Sequence, residues 1–230
     1  EEGHLLVDAD YSQIELRIIA HITGDPGLCR AFKEGIDVHA ATASAVLGKP
    51  LSAVTQEDRR IAKMINFGIA YGMSPYGLAA RLGIPDEQAK SIIEAYFASF
   101  PKVKEWMETL IAEAEAKGYV TTLLGRRRYV PGIRSENRQE REAARRAAIN
   151  GPFQGGAADI IKKAMVEIDE AGLPVTPLLQ IHDELIYEVA EENVEEACER
   201  IRAIMEDTLP LSVPIVVETS VGKNWMEAGK

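Results

Sequence analysis

Segments with the look of β-strands sit near the two ends of this chain, and most of the stretch between them is patterned for helix. Residues 4–8 form one short apolar run, and 178–189 and 215–221 form the others. A lone strand leaves its backbone N–H and C=O groups unpaired and is not stable alone, so these distant segments have to find one another. The middle of the chain is then an insertion. Helices are predicted at about 12–22, 38–47, 56–71, 74–82, 86–100 and 102–117, with Pro85 and Pro101 as punctuation. Ser12 reads as the cap of the first helix, and Glu15 three residues on completes a capping box. Gly24-Asp25-Pro26 reads as a strong break.

A small hairpin is predicted from 119–123 and 127–130 across Leu124-Gly125-Arg126. Two helices follow, at 136–148 and 157–170. The 178–189 segment is apolar at both ends and reads as a hairpin with His182-Asp183-Glu184 at a polar tip. A helix at 191–208 precedes the last strand. The expected fold class is α+β, a small antiparallel sheet with a mainly helical insertion, divided at 1–24, 25–150 and 151–230.

A hydrophobic content of 46% and a charged content of 27% are ordinary for a soluble globular protein. No apolar run is long enough for a membrane span, and no secretory signal opens the chain. Cys29 and Cys198 lie far apart without metal-ligand spacing, which suits a reduced, cytoplasmic compartment. Glu1-Glu2-Gly3 leading at once into an apolar strand is a poor natural start, so a processed or engineered fragment is expected.

The net charge of −10 argues against a nucleic-acid partner, but its distribution does not. Eight arginines lie between Arg126 and Arg146, against Glu136, Glu140 and Glu142. From Glu184 to Asp207 the balance reverses. Salt screens distant charges over roughly 8 Å, so a polyanion responds to the local basic stripe. Both runs also fit solvated helix faces.

Asp8 and Asp10 fall at the end of the first strand, and Asp183 and Glu184 at the tip of the later hairpin. If the two strands are neighbours, Asp10 and Asp183 converge at the sheet's edge. Close carboxylates repel, so such a pair means a shared proton or a bound cation. Oxygen donors without a His/Cys cluster favour magnesium, and a pair of such ions serves in-line phosphoryl displacement. Taken alone, the same residues also read as caps and turns.

Arg59, Lys63, Phe67 and Tyr71 recur every fourth residue and line one slowly turning side of a helix. Two cations followed by two aromatics suit a nucleoside triphosphate, whose phosphates want charge and whose base wants a flat apolar surface. Gly68 and Gly72 beside the aromatics would let another backbone or a base come close. An amphipathic helix with Arg59, Arg60 and Lys63 in solvent has the same spacing.

These pieces resemble, in a fixed order, the A-family DNA polymerases of the bacterial DNA polymerase I type. The first motif runs Asp10-Tyr11-Ser12-Gln13-Ile14-Glu15-Leu16-Arg17, the second from Arg59 to Gly72, and the third is His182-Asp183-Glu184. Asp37-Val38-His39, the turn from Gly125 to Tyr129 and the run from Asn150 to Asp159 match as well. The resemblance spans essentially the whole chain and implies a palm and fingers that add deoxynucleotides to a primer 3′-hydroxyl on primer-template DNA. It implies two Mg²⁺ ions on Asp10 and Asp183, with the Tyr11 carbonyl as a further ligand. Arg59, Lys63 and His39 would grip the dNTP phosphates, with Lys63 placed to protonate the leaving pyrophosphate. Gln13 would also bind nucleotide. Phe67 would pack on the incoming nucleotide and disfavour dideoxynucleotides, and Tyr71 would hold the template base's place until the helix closes. Glu15 would fill the space a ribose 2′-hydroxyl needs.

By the same resemblance Arg146, Asn150 and Gln154 would read the minor groove of the primer-terminal pair, where every correct pair offers acceptors. His182 would touch the primer end, and Glu184 would support the site. Gly156 departs from the family pattern, in which Thr commonly follows Gln-Gly. The family's thumb, early palm strand and exonuclease-like domain precede the first motif and are absent from this sequence, so neither proofreading nor a firm grip on duplex is expected of it. Two other readings stay open: a phage-type single-subunit RNA polymerase, which Glu15 argues against, and a fragment that binds primer-template or nucleotide without activity.

Overall fold

The computed structural model describes residues 2–229. In chain order it opens with strand β1 (His4–Tyr11) and helices α1 (Ile14–Thr23), α2 (Pro26–Lys33) and α3 (Val38–Leu47). Helices α4 (Gln56–Ala70), α5 (Pro75–Leu82), α6 (Asp86–Ser99) and α7 (Pro101–Lys117) lead to the hairpin strands β2 (Tyr119–Thr121) and β3 (Arg127–Tyr129). Then come α8 (Arg138–Glu170), β4 (Val175–Ile181), β5 (Glu184–Ala190), α9 (Val194–Asp207), β6 (Val217–Gly222) and α10 (Trp225–Ala228). The chain divides into two compact units. One, the sheet unit, holds the residues up to Ile18 and from Gly156 onward; the other, the helical unit, runs from Ile19 to Gly155.

The sheet unit is built on four antiparallel strands in the order β4-β5-β1-β6. Strand β1 alternates: Val7, Ala9 and Tyr11 are buried on one face, while Asp8 and Asp10 belong to the other. Under the apolar face runs α9, whose Ala197, Ile201 and Met205 recur every fourth residue and are buried. Burying each such Ile or Met contributes about 1.5–3 kcal/mol. The Tyr11 hydroxyl donates to the Met205 carbonyl at 2.9 Å, and burial pushes that phenol's pKa up. The first strand therefore extends three residues beyond the predicted 4–8, because both its edges are bonded as far as the motif.

In the helical unit, α4 begins with a capping box in which Thr55 and Asp58 bond each other's backbone N–H. Gly24-Asp25-Pro26 breaks the chain as expected, between α1 and α2, and its last two residues also start α2, a helix that the pattern did not reveal. The Asp25 carboxylate accepts from Gly27 and Leu28 N–H at 2.9 and 3.3 Å, and Pro26 occupies the first helical turn. The first helix starts one residue later than Ser12 would place it. The Arg17 N–H bonds the Gln13 carbonyl at 3.1 Å, which makes Gln13 the cap residue.

Helix α8 is a single helix of 33 residues where two were predicted. Gly151, Pro152, Gly155 and Gly156 read as breakers, since Pro costs about 3 kcal/mol and Gly about 1 kcal/mol in a helix interior. Here two of the glycines are contact points. A Cβ on Gly151 would lie 2.6 Å from a Val120 methyl, and one on Gly155 would collide with Thr122. The β2–β3 hairpin thus seats directly on α8, and Val120, Val130, Ile133, Ala144 and Ala148 form a shared core. Among the described residues no helix is long and apolar enough to cross a membrane.

Candidate functional site

The end of β1 carries Asp10 into a cross-strand row of acids. Its register partners are Glu184 on β5 and Glu218 on β6. Directly opposed side chains in such a ladder have Cβ atoms about 4.5–5.5 Å apart, and like charges there are destabilising. Asp183 stands one residue before Glu184, in the turn joining β4 to β5, and its carbonyl accepts the Tyr11 N–H at 3.2 Å. Two motifs far apart in sequence therefore share one rim of the sheet. Burial raises the Asp183 carboxyl above its usual range, and the Glu184 charge adds to that. Asp8, only 5% exposed, lies two residues before Asp10 on the same face. Asp8, Asp10, Glu184, Ser220, Trp225, Met226 and Gly229 line a cleft of about 680 Å³.

The backbone around this rim is unusual. His182 and Gln13 are the non-glycine residues with positive φ among those described, at 52° and 55°. Such conformations cost energy and persist where the surroundings impose them. At the first, the Gln180 side chain bonds the exposed His182's carbonyl at 2.8 Å. At the second, the buried Arg17 guanidinium donates to the carbonyls of Ser12 and Pro214 at 2.7 and 2.6 Å, fastening the strand-to-helix turn. Gln13 is half-buried and its Oε1 finds no partner among the described residues. Glu15, half-buried, follows on α1.

The donors at this rim are all oxygens. Among the described residues no three His, Cys, Asp or Glu side chains are arranged to hold an ion by themselves. That composition fits a hard divalent cation such as Mg²⁺, which takes one or two carboxylates and completes its shell with water and phosphate.

In the helical unit, α4 presents Arg59, Lys63 and Phe67 in succession, with Lys63 exposed and Phe67 half-buried. Tyr71 stands just past the helix as its C-cap and meets Phe153 edge-on at 5.8 Å. Arg59 is already engaged. Its Nη2 and Nε donate to Asp37 Oδ2 at 2.7 and 3.1 Å, while Asp37 Oδ1 caps α3 through the Ala40 N–H. Burial alone would raise the Asp37 carboxyl, but the bonds from Arg59 and Ala40 bring it below its usual value.

His39 is 2% exposed. Burial lowers its pKa to about 4, with the Arg59 and Lys63 charges pushing the same way against the opposing pull of Asp37. Its tautomer follows from its neighbours. The Thr42 hydroxyl donates to Asn66 Oδ1 at 3.0 Å, so the Asn66 amide nitrogen donates to His39 Nδ1, also at 3.0 Å. The proton of the neutral ring then sits on Nε2. His39 therefore offers a hydrogen bond near neutral pH, not a positive charge. This Thr42–Asn66–His39 chain escaped the sequence reading because nothing in its spacing marks it.

The glycines beside the aromatics let neighbouring residues come close. A Cβ on Gly68 would lie 3.2 Å from Met73 Sδ, and one on Gly72 would lie 3.0 Å from Arg146 Cγ. Gly72 has φ 68°, so only glycine takes that turn without strain. Asn150 turns its amide nitrogen to the carbonyls of Ala70 and Arg146, 3.2 Å from each. Gln154, one helical turn further along α8, accepts a long bond from Arg128 at 3.5 Å. Arg146, exposed, and Asn150 and Gln154, half-buried, thus follow one another along α8, the first two beside the Tyr71–Gly72 turn.

The family model for DNA polymerase family A matches residues 1–227. The DNA polymerase I of Pseudomonas aeruginosa is 52% identical over 99% of this chain, which spans 25% of that protein. The thermostable DNA polymerase I of Thermus filiformis is 50% identical over 99% of the chain and 28% of its own length. Among solved structures, the POL domain of Pol1 from M. smegmatis, in complex with DNA primer-template and dNTP, superposes with a TM-score of 0.96 at 46% identity. That match covers 100% of this chain and 41% of the other. The chain spans about a quarter of the length of these curated relatives, and it belongs to DNA polymerase family A.

Proposed function

We propose that the protein is the nucleotidyl-transfer core of a DNA polymerase, joining deoxynucleotides to a primer 3′-hydroxyl on a DNA template. The observation that carries this reading is the meeting of two motifs at one sheet rim, where Asp10 opposes Glu184 and the Asp183 carbonyl holds the Tyr11 N–H. The primer 3′-oxygen attacks the α-phosphorus of the dNTP, the new P–O bond forms, the α–β bridging bond breaks, and pyrophosphate leaves. The hydroxyl proton passes to water. Two Mg²⁺ ions on Asp10, Asp183 and the Tyr11 carbonyl would supply a more acidic 3′-hydroxyl and neutralise charge on the phosphates.

The remaining roles belong to side chains. Arg59 and Lys63 bind phosphates, and Lys63 gives its proton to pyrophosphate. His39 donates from Nε2. Phe67 stacks on the incoming base, Tyr71 guards the template position, and Gln13 and Glu15 contact the sugar side, where Glu15 excludes a 2′-hydroxyl. Arg146, Asn150 and Gln154 read minor-groove acceptors, His182 meets the primer end, and Glu184 supports the carboxylates. On this reading the sheet unit is the palm and the helical unit the fingers, within a cytoplasmic parent enzyme that carries further domains.

Primer extension with Mg²⁺, set beside Asp183→Ala, tests the reading. Extension by the parent sequence and none by the variant is the expected result; equal extension by both would overturn the carboxylate assignment. Supplying rNTPs in place of dNTPs tests Glu15, since a preference for rNTPs would remove its steric role.

A further inference from the structure

Among the described residues Trp225 is the one bulky aromatic side chain in the acid-lined cleft, and its exposure of 47% sets it apart from a core tryptophan. Its only polar group, the indole N–H, donates to Glu184 Oε1 at 3.0 Å. The segment that carries it is fastened with unusual care. A Cβ on Gly222 would lie 2.5 Å from the Ala228 nitrogen and 2.6 Å from Glu227 Cβ, so only glycine lets α10 sit this close to β6. Ser220 Oγ donates to the Ala228 carbonyl at 2.5 Å. The Asn224 side chain caps the Glu227 N–H at 3.1 Å, and the Glu227 carboxylate takes the Lys223 N–H at 3.0 Å and the Asn224 amide at 2.8 Å. A helix of four residues does not form alone. These bonds hold it where the indole reaches Glu184.

Glu184 needs such a partner. It directly opposes Asp10, whose other neighbour in the register is Glu218. A glutamate free to change rotamer beside Asp10 would spend part of its time repelling it, or would compete for any cation held there. We infer that Trp225 is a positioning residue for the polymerase carboxylates: its indole N–H holds Glu184 in one rotamer, and α10 is the clip that holds Trp225. The inference rests on the assignment of Asp10 and Asp183 as the metal-holding pair.

The test is a double-mutant cycle read by Mn²⁺ binding to the protein alone, with free Mn²⁺ followed by electron paramagnetic resonance, and by primer extension in parallel. Trp225→Phe keeps the ring and removes the donor. It should weaken Mn²⁺ binding or lower kcat by roughly tenfold, with the KM for dNTP and the Tm unchanged, as outer-shell partners of metal sites do. In a Glu184→Ala background the same substitution should do nothing more, because its effect runs through Glu184. Asp183→Ala keeps the two failures apart. If it binds Mn²⁺ as the parent does, the metal-holding assignment fails. If it loses Mn²⁺ while Trp225→Phe matches the parent, or adds its full effect to Glu184→Ala, the positioning role is refuted.

Discussion

The two units handle charge in opposite ways. In the sheet unit Asp10 lies between two glutamates in the register, and the neighbouring Asp183 is pushed toward its neutral form. In the helical unit Arg59 is clamped by Asp37, and His39 is neutral in its burial. On the proposed reading, a cation would bind where the first region gathers its carboxylates. On the same reading, an anion arriving at the second would compete with Asp37 for Arg59. A sheet whose ladder fixes side-chain spacing suits the first arrangement, and a helix cap such as Asp37 suits the second.

The comparison can be broken most sharply at Lys63, an exposed cation of α4. Lys63→Ala should lower single-turnover dNTP incorporation by about 10²–10⁴-fold with primer-template binding unchanged, the range expected for loss of a general acid. A drop confined to the KM for dNTP would make Lys63 a charge and nothing more.

Next in size is the pH dependence of the helical unit. His39 has a folded pKa of about 4 against about 6.5 unfolded, so the unfolded chain binds more protons between those values. Stability is therefore fully present above about 6.5 and falls as the pH drops toward 4, by roughly 2–3 kcal/mol. Urea titrations across that window should show the loss in the parent, and His39→Gln, which accepts from Asn66 without titrating, should flatten it.

The sheet unit should respond to divalent ions instead. Mg²⁺ in excess of its dissociation constant should raise the Tm by a few degrees, about 1–2 kcal/mol, and Asp183→Ala should abolish the shift. The smallest effect is expected at Asp37. Asp37→Ser keeps a capping oxygen for α3 but frees Arg59, so Tm should hardly move while the KM for dNTP falls severalfold, about 1 kcal/mol. An unchanged KM would show that the Arg59–Asp37 pair does not compete with phosphate.

Much of this was legible beforehand because it rests on local chemistry. The polar tip between the apolar halves of 178–189, the four-residue stripe on α4 and the hairpin around Gly125 all carry their signal within a few residues. What escaped depends on distant neighbours. Gly151 and Gly155 look like helix breakers until Val120 and Thr122 are seen pressing on them. Asp25-Pro26 signals a turn and a helix start with the same residues. The acid row emerges only when β1 is paired on both sides, since neither Glu184 nor Glu218 announces Asp10 as its neighbour. Trp225 on α10 carries no local signal, because its partner Glu184 lies on β5.

The order β4-β5-β1-β6 has a kinetic consequence. Strand β1 leaves the ribosome long before either strand that flanks it. At roughly 5–20 residues per second, it waits on the order of ten seconds for its partners. Meanwhile the contiguous stretch from Ile19 to Gly155 can complete its own packing. The waiting strand exposes Val7, Ala9 and Tyr11 together with two bare ladder edges, so nascent chains are most vulnerable to aggregation or chaperone capture at β1.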